Sequence, residues 1–187
     1  MRRMNKPRGV IVFGASGSGT TTLGKELAGL LGFIHLDIDR YFWKQTNPPF
    51  TAPNPAEERF DILWAAIDRN FVMSGCLREW GDPFISLLDI AVFVKTPTDV
   101  RLKRLVKREA HRHGQRICPG GDMYNTHQKF IEYAAGYDNG GLDMRSLASQ
   151  EDWAKTLPCP VVYVDGRDDF REVAKRLVEE YETSKNF

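Results

Sequence analysis

Apolar positions along the chain fall into two kinds of pattern, short unbroken runs and longer stretches in which they recur every three or four residues. The first run, Val10-Ile11-Val12-Phe13, enters a glycine-rich turn, after which Leu23, Leu27 and Leu30-Leu31 follow helical spacing. Unbroken runs bounded by turn residues suit buried strands, and the three-to-four spacing suits one face of a helix. Residues 33–36, 71–75, 89–94 and 160–164 repeat the strand pattern. Helices are predicted over about 55–69, 83–88, 97–111 and 142–157, with another ending near Tyr137 and an amphipathic one over 170–181. Gly32 reads as the stop of the first helix, Asn54 as the cap of the second, and Asp122 or Asn125 as the cap of the helix before Tyr137. Strands alternating with helices predict an α/β fold on a parallel sheet.

Composition narrows the class. At 187 residues, 42% of them hydrophobic, the chain suits one domain with a sizeable core. A net charge of +1 gives no global reason to expect nucleic-acid or membrane partners. Cys76, Cys118 and Cys159 form no C-x-x-C pair, so a reducing, cytoplasmic setting is expected rather than a disulfide framework. The basic start MRRMNKPRG leads into only four apolar residues before Gly14, too few for a signal peptide or membrane span, and Met4 is an alternative start. No repeat or linker is evident, and a monomer or homodimer is expected.

The glycine-rich turn carries the first chemistry. Gly14, Ala15, Ser16, Gly17, Ser18, Gly19, Thr20, Thr21 and Thr22 join a strand to a helix N-terminus, where backbone N–H groups and the helix dipole favour an anion. Gly14, Gly19 and Thr21 fit the pattern G-x-x-x-x-G-K-[ST], with Thr20 in the lysine position. These nine residues are candidates to hold the phosphates of ATP, with Thr21 as a Mg2+ ligand. Asp37 and Asp39 follow the second strand, at the sheet edge where α/β proteins bind ligands, and residues two apart share a strand face. Asp37 is positioned to reach Mg2+ through water, and Asp39 to orient or deprotonate an acceptor hydroxyl. The alternative is that both are loop-start carboxylates paired with nearby arginines.

Residues 40–70 form a candidate acceptor-side segment, with Tyr41, Phe42, Trp43 and four prolines between residues 46 and 55. Its aromatics either wall a substrate pocket or cover the core. Arg59 and Arg78 are candidates to bind an anionic acceptor, surface ion pairs being the alternative. The helix over 97–111 sets Arg101, Arg104, Arg108 and Arg112 on one side and Leu102, Leu105 and Val106 on the side expected to be buried. It runs on into Arg116 and Pro119-Gly120-Gly121, so residues 111–124 read as a mobile lid. Arg112 and Arg116 are the catalytic candidates to close over the transferring phosphoryl group, because guanidinium groups fork onto phosphate oxygens. His111, His113, Cys118 and His127 match no standard zinc spacing.

GASGSGTTT, LDID and the basic helix with its lid resemble the nucleoside-monophosphate and shikimate kinase-like branch of P-loop proteins over nearly the whole chain. The resemblance implies a three-layer P-loop NTPase sandwich with strand order 2-3-1-4-5. It implies the Mg2+-side role for Asp37, the acceptor-hydroxyl role for Asp39 and a lid role for Arg116. Ser74-Gly75-Cys76 departs from the glycine run that holds the acceptor in shikimate kinases, and the Asp-Gly-Phe-Pro-Arg run of adenylate kinases is missing. A Gly-Ser-Gly-Thr-Thr-Thr loop is similar to that of archaeal-type cytidylate kinases. RHGQRICPGGDMY, with Tyr137-Asp138 and Arg145-Ser146-Leu147, resembles bacterial predicted small ATPases of unassigned substrate.

The function expected is ATP-dependent phosphotransfer to a small metabolite, with a nucleoside or nucleotide as the leading acceptor. The alternatives are a nucleotide-binding or regulatory module without transfer, and a shikimate kinase-like enzyme for a non-nucleotide acceptor. If transfer occurs, Arg112, Arg116 or a lysine on the same surface must do electrostatically what Thr20 does not.

Overall fold

A computed structural model describes residues 7–185; the first six residues of the basic start, Met4 among them, lie outside them. Strands Gly9–Gly14 (β1), Ile34–Asp37 (β2), Phe71–Ser74 (β3), Leu88–Lys95 (β4) and Val161–Asp165 (β5) pair in parallel in the order β2-β3-β1-β4-β5. The expected order 2-3-1-4-5 is therefore the observed one. The helices are Thr20–Leu31 (α1), Asp39–Phe42 (α2), Ala56–Ala65 (α3), Asp82–Ile85 (α4), Thr98–His113 (α5), Tyr124–Ala135 (α6), Leu147–Thr156 (α7) and Phe170–Lys185 (α8).

The unbroken apolar runs follow from burial on both faces of the sheet. Ile11, Phe13, Phe71, Met73 and Phe93 face one core with Leu63, Phe84 and Trp153. Val10, Val12, Val72, Val92 and Val164 face the other with Leu23, Leu27, Val173 and Leu177. The register sets Asp37 beside Ser74 and Ser74 beside Val12, so these strands end together at the edge from which the ligand-facing loops leave.

Four local expectations are corrected. Asn54 does not cap α3, whose cap position is Pro55 and whose helix stops at Ala65. Its amide instead donates to the Tyr41 carbonyl at 2.9 Å and its backbone N–H to Phe42 at 2.8 Å, tying the aromatic segment to itself. Helix α7 is shorter than residues 142–157, because Ser146 and Ser149 form a reciprocal capping box that fixes its start. The inward side of α5 is also different. Arg101 is fully buried and Val106 is 49% exposed, although Leu105 is buried as expected. Asp122 is not a helix cap but a partner of Arg116.

Candidate functional site

The site grows from the turn between β1 and α1. Gly17 (φ 80°) and Gly19 (φ 104°) take left-handed backbone angles that favour glycine. A side chain at Gly17 would press on the Arg101 carbonyl, and one at Gly19 on the Phe170 ring. The turn is thus wedged against α5 and α8 while α1 begins at Thr20, where first-turn N–H groups lack intrahelical partners.

A cleft of about 700 Å³ opens on this turn, large enough for a nucleotide. Gly17, Gly19, Thr20, Thr21 and Thr22 line it from the loop, and Gly14, Ala15, Ser16 and Ser18 complete the loop behind them. Asp37 and Asp39 face it from β2 and α2, Arg104, Arg108 and Arg112 from α5, and Trp43 and Phe50 from the aromatic segment between α2 and α3. The two carboxylates share the cleft for a reason other than strand alternation. The strand ends at Asp37, and Ile38 turns the chain so that Asp39 opens α2 and donates its N–H to Asp37 Oδ1 at 3.3 Å.

The carboxyl of Asp39 is pushed above the usual carboxylate range, first by desolvation; Arg145 opposes the push, Asp37 adds to it and Arg108 opposes it. Its surface stays open to cleft water, so the crowding protein atoms, and not a sealed cavity, produce that upward direction. The helix arginines are organised by a buried carboxylate, Glu109, which accepts from Arg108 Nε at 3.0 Å and lies 4.0 Å from Arg112 and 3.5 Å from His113. Arg104 donates to the Gly166 carbonyl at 2.9 Å and to the Ser18 carbonyl at 3.4 Å, closing the loop against the chain after β5.

Of the residues expected from the sequence, the cleft brings together the loop, Asp37, Asp39 and Arg112. Arg116 lies off the cleft lining, held by Asp122 at 2.6 Å and by Asn47 Oδ1 at 2.9 Å. Arg59 lies with its guanidinium 4.4 Å from the Phe42 ring centre and 5.8 Å from that of Trp80. Arg78 pairs with Glu79 and donates to the Leu142 carbonyl at 2.7 Å.

Arg145 was given no role in the sequence reading. It precedes α7 and donates to the Gly14 carbonyl at 2.7 Å, and its charge bears on Asp39. Among the described residues its buried Nε has no hydrogen-bond partner. A lone arginine in a stretch read as helical has no periodic signature; the capping residue beside it, Ser146, is the signal that could have marked the turn. Lys25, Arg40 and Lys44 also line the cleft.

The donor set fits Mg2+: Thr21 and Asp37 offer hard oxygen ligands on the same cleft. Among the described residues no group of three or more His, Cys, Asp or Glu could hold a metal by itself, and no helix is long and apolar enough to cross a membrane.

Residues 10–129 match the family model described as AAA domain. The uncharacterized protein YqaC of Bacillus subtilis is 36% identical over 174 residues, which cover 92% of this chain and 96% of that protein. A cytidylate kinase of Thermococcus sibiricus is 28% identical over 112 residues, 54% of this chain and 56% of that one. The crystal structure of shikimate kinase from Bacteroides thetaiotaomicron superposes with a TM-score of 0.56 at 19% identity, covering 94% of this chain and 98% of that one. That likeness is one of fold, a P-loop kinase fold.

Proposed function

Since the chain belongs to the AAA domain family and has a P-loop kinase fold, we propose that it is an ATP-dependent phosphotransferase for a small metabolite, nucleosides and nucleotides being the leading acceptors. The observation that carries this reading is the meeting, in one cleft, of an anion-cradling helix N-terminus, two carboxylates and the arginines of α5. Phosphoryl transfer asks a protein for little else.

Residues 14–22 would bind the ATP phosphates. Thr21, and Asp37 through water, would hold Mg2+, which when bound neutralises phosphate charge. Asp39 orients the acceptor hydroxyl and takes its proton, a role that its raised carboxyl suits. Arg112, which lines the cleft, would meet the transferring phosphoryl group, and Arg116 would join it when a lid over 111–124 moves and releases Asn47 and Asp122. Arg40, Trp43, Lys44 and Phe50 face the acceptor directly, while Arg59 and Arg78 serve it after leaving their present partners. Residues 1–187 act as one domain, with residues 40–70 as its acceptor side.

Titration calorimetry with Mg-ATP, followed by a phosphate-transfer screen over nucleosides, nucleotides and hydroxylated metabolites, tests the reading. Saturable binding and transfer to one acceptor class are expected; no nucleotide binding would sink it. Transfer to a non-nucleotide hydroxy acid would move the protein to a shikimate kinase-like activity. Thr20 favours a second reading, a nucleotide-binding module without transfer. That reading requires binding without turnover on any acceptor, and Asp39→Asn would then leave ATP hydrolysis unchanged.

A further inference from the structure

Thr20 leaves the phosphate loop without the ammonium of the G-x-x-x-x-G-K-[ST] pattern, so another cation must meet the charge of a bound triphosphate. Six cationic side chains line the cleft: Lys25, Arg40, Lys44, Arg104, Arg108 and Arg112. Arg104 is engaged with the carbonyls of Ser18 and Gly166, and Arg108 and Arg112 share Glu109. Arg40 and Lys44 belong to the acceptor-side segment that begins after Asp39. Lys25 differs from all five. It stands on α1, the helix whose N-terminus forms the cradle, and its side chain, like those of Arg40 and Lys44, makes no hydrogen bond or ion pair among the described residues.

Helix geometry aims this lysine at the loop. Lys25 is four residues beyond Thr21, on the same face and roughly 6 Å further along the axis. Side chains of a helix lean toward its N-terminus, and an extended lysine stem is about as long as one helical turn. The ammonium can therefore come level with Thr21 without any change of backbone. Lys25 lines the cleft together with Thr21 and Asp37, so it stands on the side that carries the first carboxylate.

Resting on the phosphotransferase reading, we propose that Lys25 supplies the cation missing at residue 20, contacting the β- and γ-phosphate oxygens of ATP from one turn further along α1. In the transfer the acceptor oxygen bonds to the γ-phosphorus while the bond from that phosphorus to the bridging oxygen breaks. The electron pair stays on the β-phosphate oxygen of ADP, and the acceptor proton goes to Asp39. Lys25 offsets the charge that gathers on the leaving oxygen and exchanges no proton.

The test compares the wild type with Lys25→Met, which keeps the aliphatic stem, with Thr20→Lys, and with the double variant Thr20→Lys/Lys25→Met. Calorimetry measures Mg-ATP and Mg-ADP affinity, and kinetics measures kcat and both KM values on the acceptor found by the screen. Lys25→Met should lower kcat/KM for ATP by roughly a hundredfold. It should weaken ATP binding more than ADP binding, and the double variant should recover most of both losses. Unchanged ATP affinity and kcat in Lys25→Met, a loss confined to the acceptor KM, or no rescue in the double variant would each overturn the proposal. If the wild type transfers phosphate to nothing, the phosphotransferase reading fails by itself. In that event the ATP-against-ADP binding difference still decides whether Lys25 meets the phosphates.

Discussion

His35 shows at the scale of one residue how the cleft's positive charge affects stability. Its Nε2 lies 3.0 Å from Ser74 Oγ, beside the end of the sheet, and its pKa falls from the ordinary 6.5 to about 4, by burial first and then by Lys25 and Arg40. The folded protein therefore keeps this ring neutral over a pH range in which the unfolded chain protonates it. The stability it contributes is complete above about pH 6.5 and is lost progressively as pH falls toward 4. Fully sealed, the shift would be worth about 3 kcal/mol; solvent reaches the half-buried ring, so on the order of 1–2 kcal/mol is expected. Urea unfolding at pH 7 and pH 4.5 should show a steeper loss in the wild type than in His35→Gln, by that amount. Equal losses in both proteins would mean that His35 is protonated in the fold.

At the scale of an element, α5 brings Arg104, Arg108 and Arg112 of its basic side to the cleft but seals Arg101 inside and leaves Val106 exposed. Helical spacing puts Leu105 only about 40° around the helix from Arg101, so the arginine side and the inward side overlap. The rule that apolar residues face inward fails here because this helix packs against the phosphate loop and the cleft, where charge is wanted. Its first turn lies deepest, and Arg101 is sealed there. It donates to the carbonyls of Thr96 and Ala134, each at 3.0 Å, and pairs with Asp138 at 3.1 Å, with the Tyr137 ring centre 5.0 Å away. This anchor joins the start of the basic helix to the end of α6 and the turn after it, across residues 111–124. Replacing it by Met would strand two buried carbonyls and an acid, at a cost of about 3–5 kcal/mol. Guanidinium denaturation of Arg101→Met should show that loss, and Arg101→Lys, which keeps the charge without the fork of donors, should recover part of it. A loss within 0.5 kcal/mol, the size of an ordinary surface substitution, would mean that residues 111–124 are anchored elsewhere.

Across the whole molecule, what could be read early was local in the chain. The glycine turn, the Asp-x-Asp and the apolar strands each lie within a few consecutive residues, and the strands were plain because helices cover both faces of the sheet. The strand order came from resemblance, since periodicity does not state which strands are neighbours. Contacts between distant segments left no such trace: Arg145 meets Gly14 across 131 positions and Arg116 meets Asn47 across 69. The cleft is for that reason a product of the whole fold. It is assembled from the β1–α1 turn, the end of β2 with the aromatic segment that follows it, and α5, which lie far apart along the chain. A ligand that touches all of them should bind the folded chain and not the unfolded one, and so raise its melting temperature. At a concentration of about 100 times Kd the gain is about 2.7 kcal/mol, or roughly 5–10 °C for a domain of this size. Because six cations face two carboxylates in the cleft, the phosphates should supply most of that gain. Inorganic triphosphate with Mg2+ is expected to give the larger part of the ATP shift, adenosine little, and added salt should shrink it. A full shift with adenosine alone would mean that the ring, not the polyanion, brings these segments together.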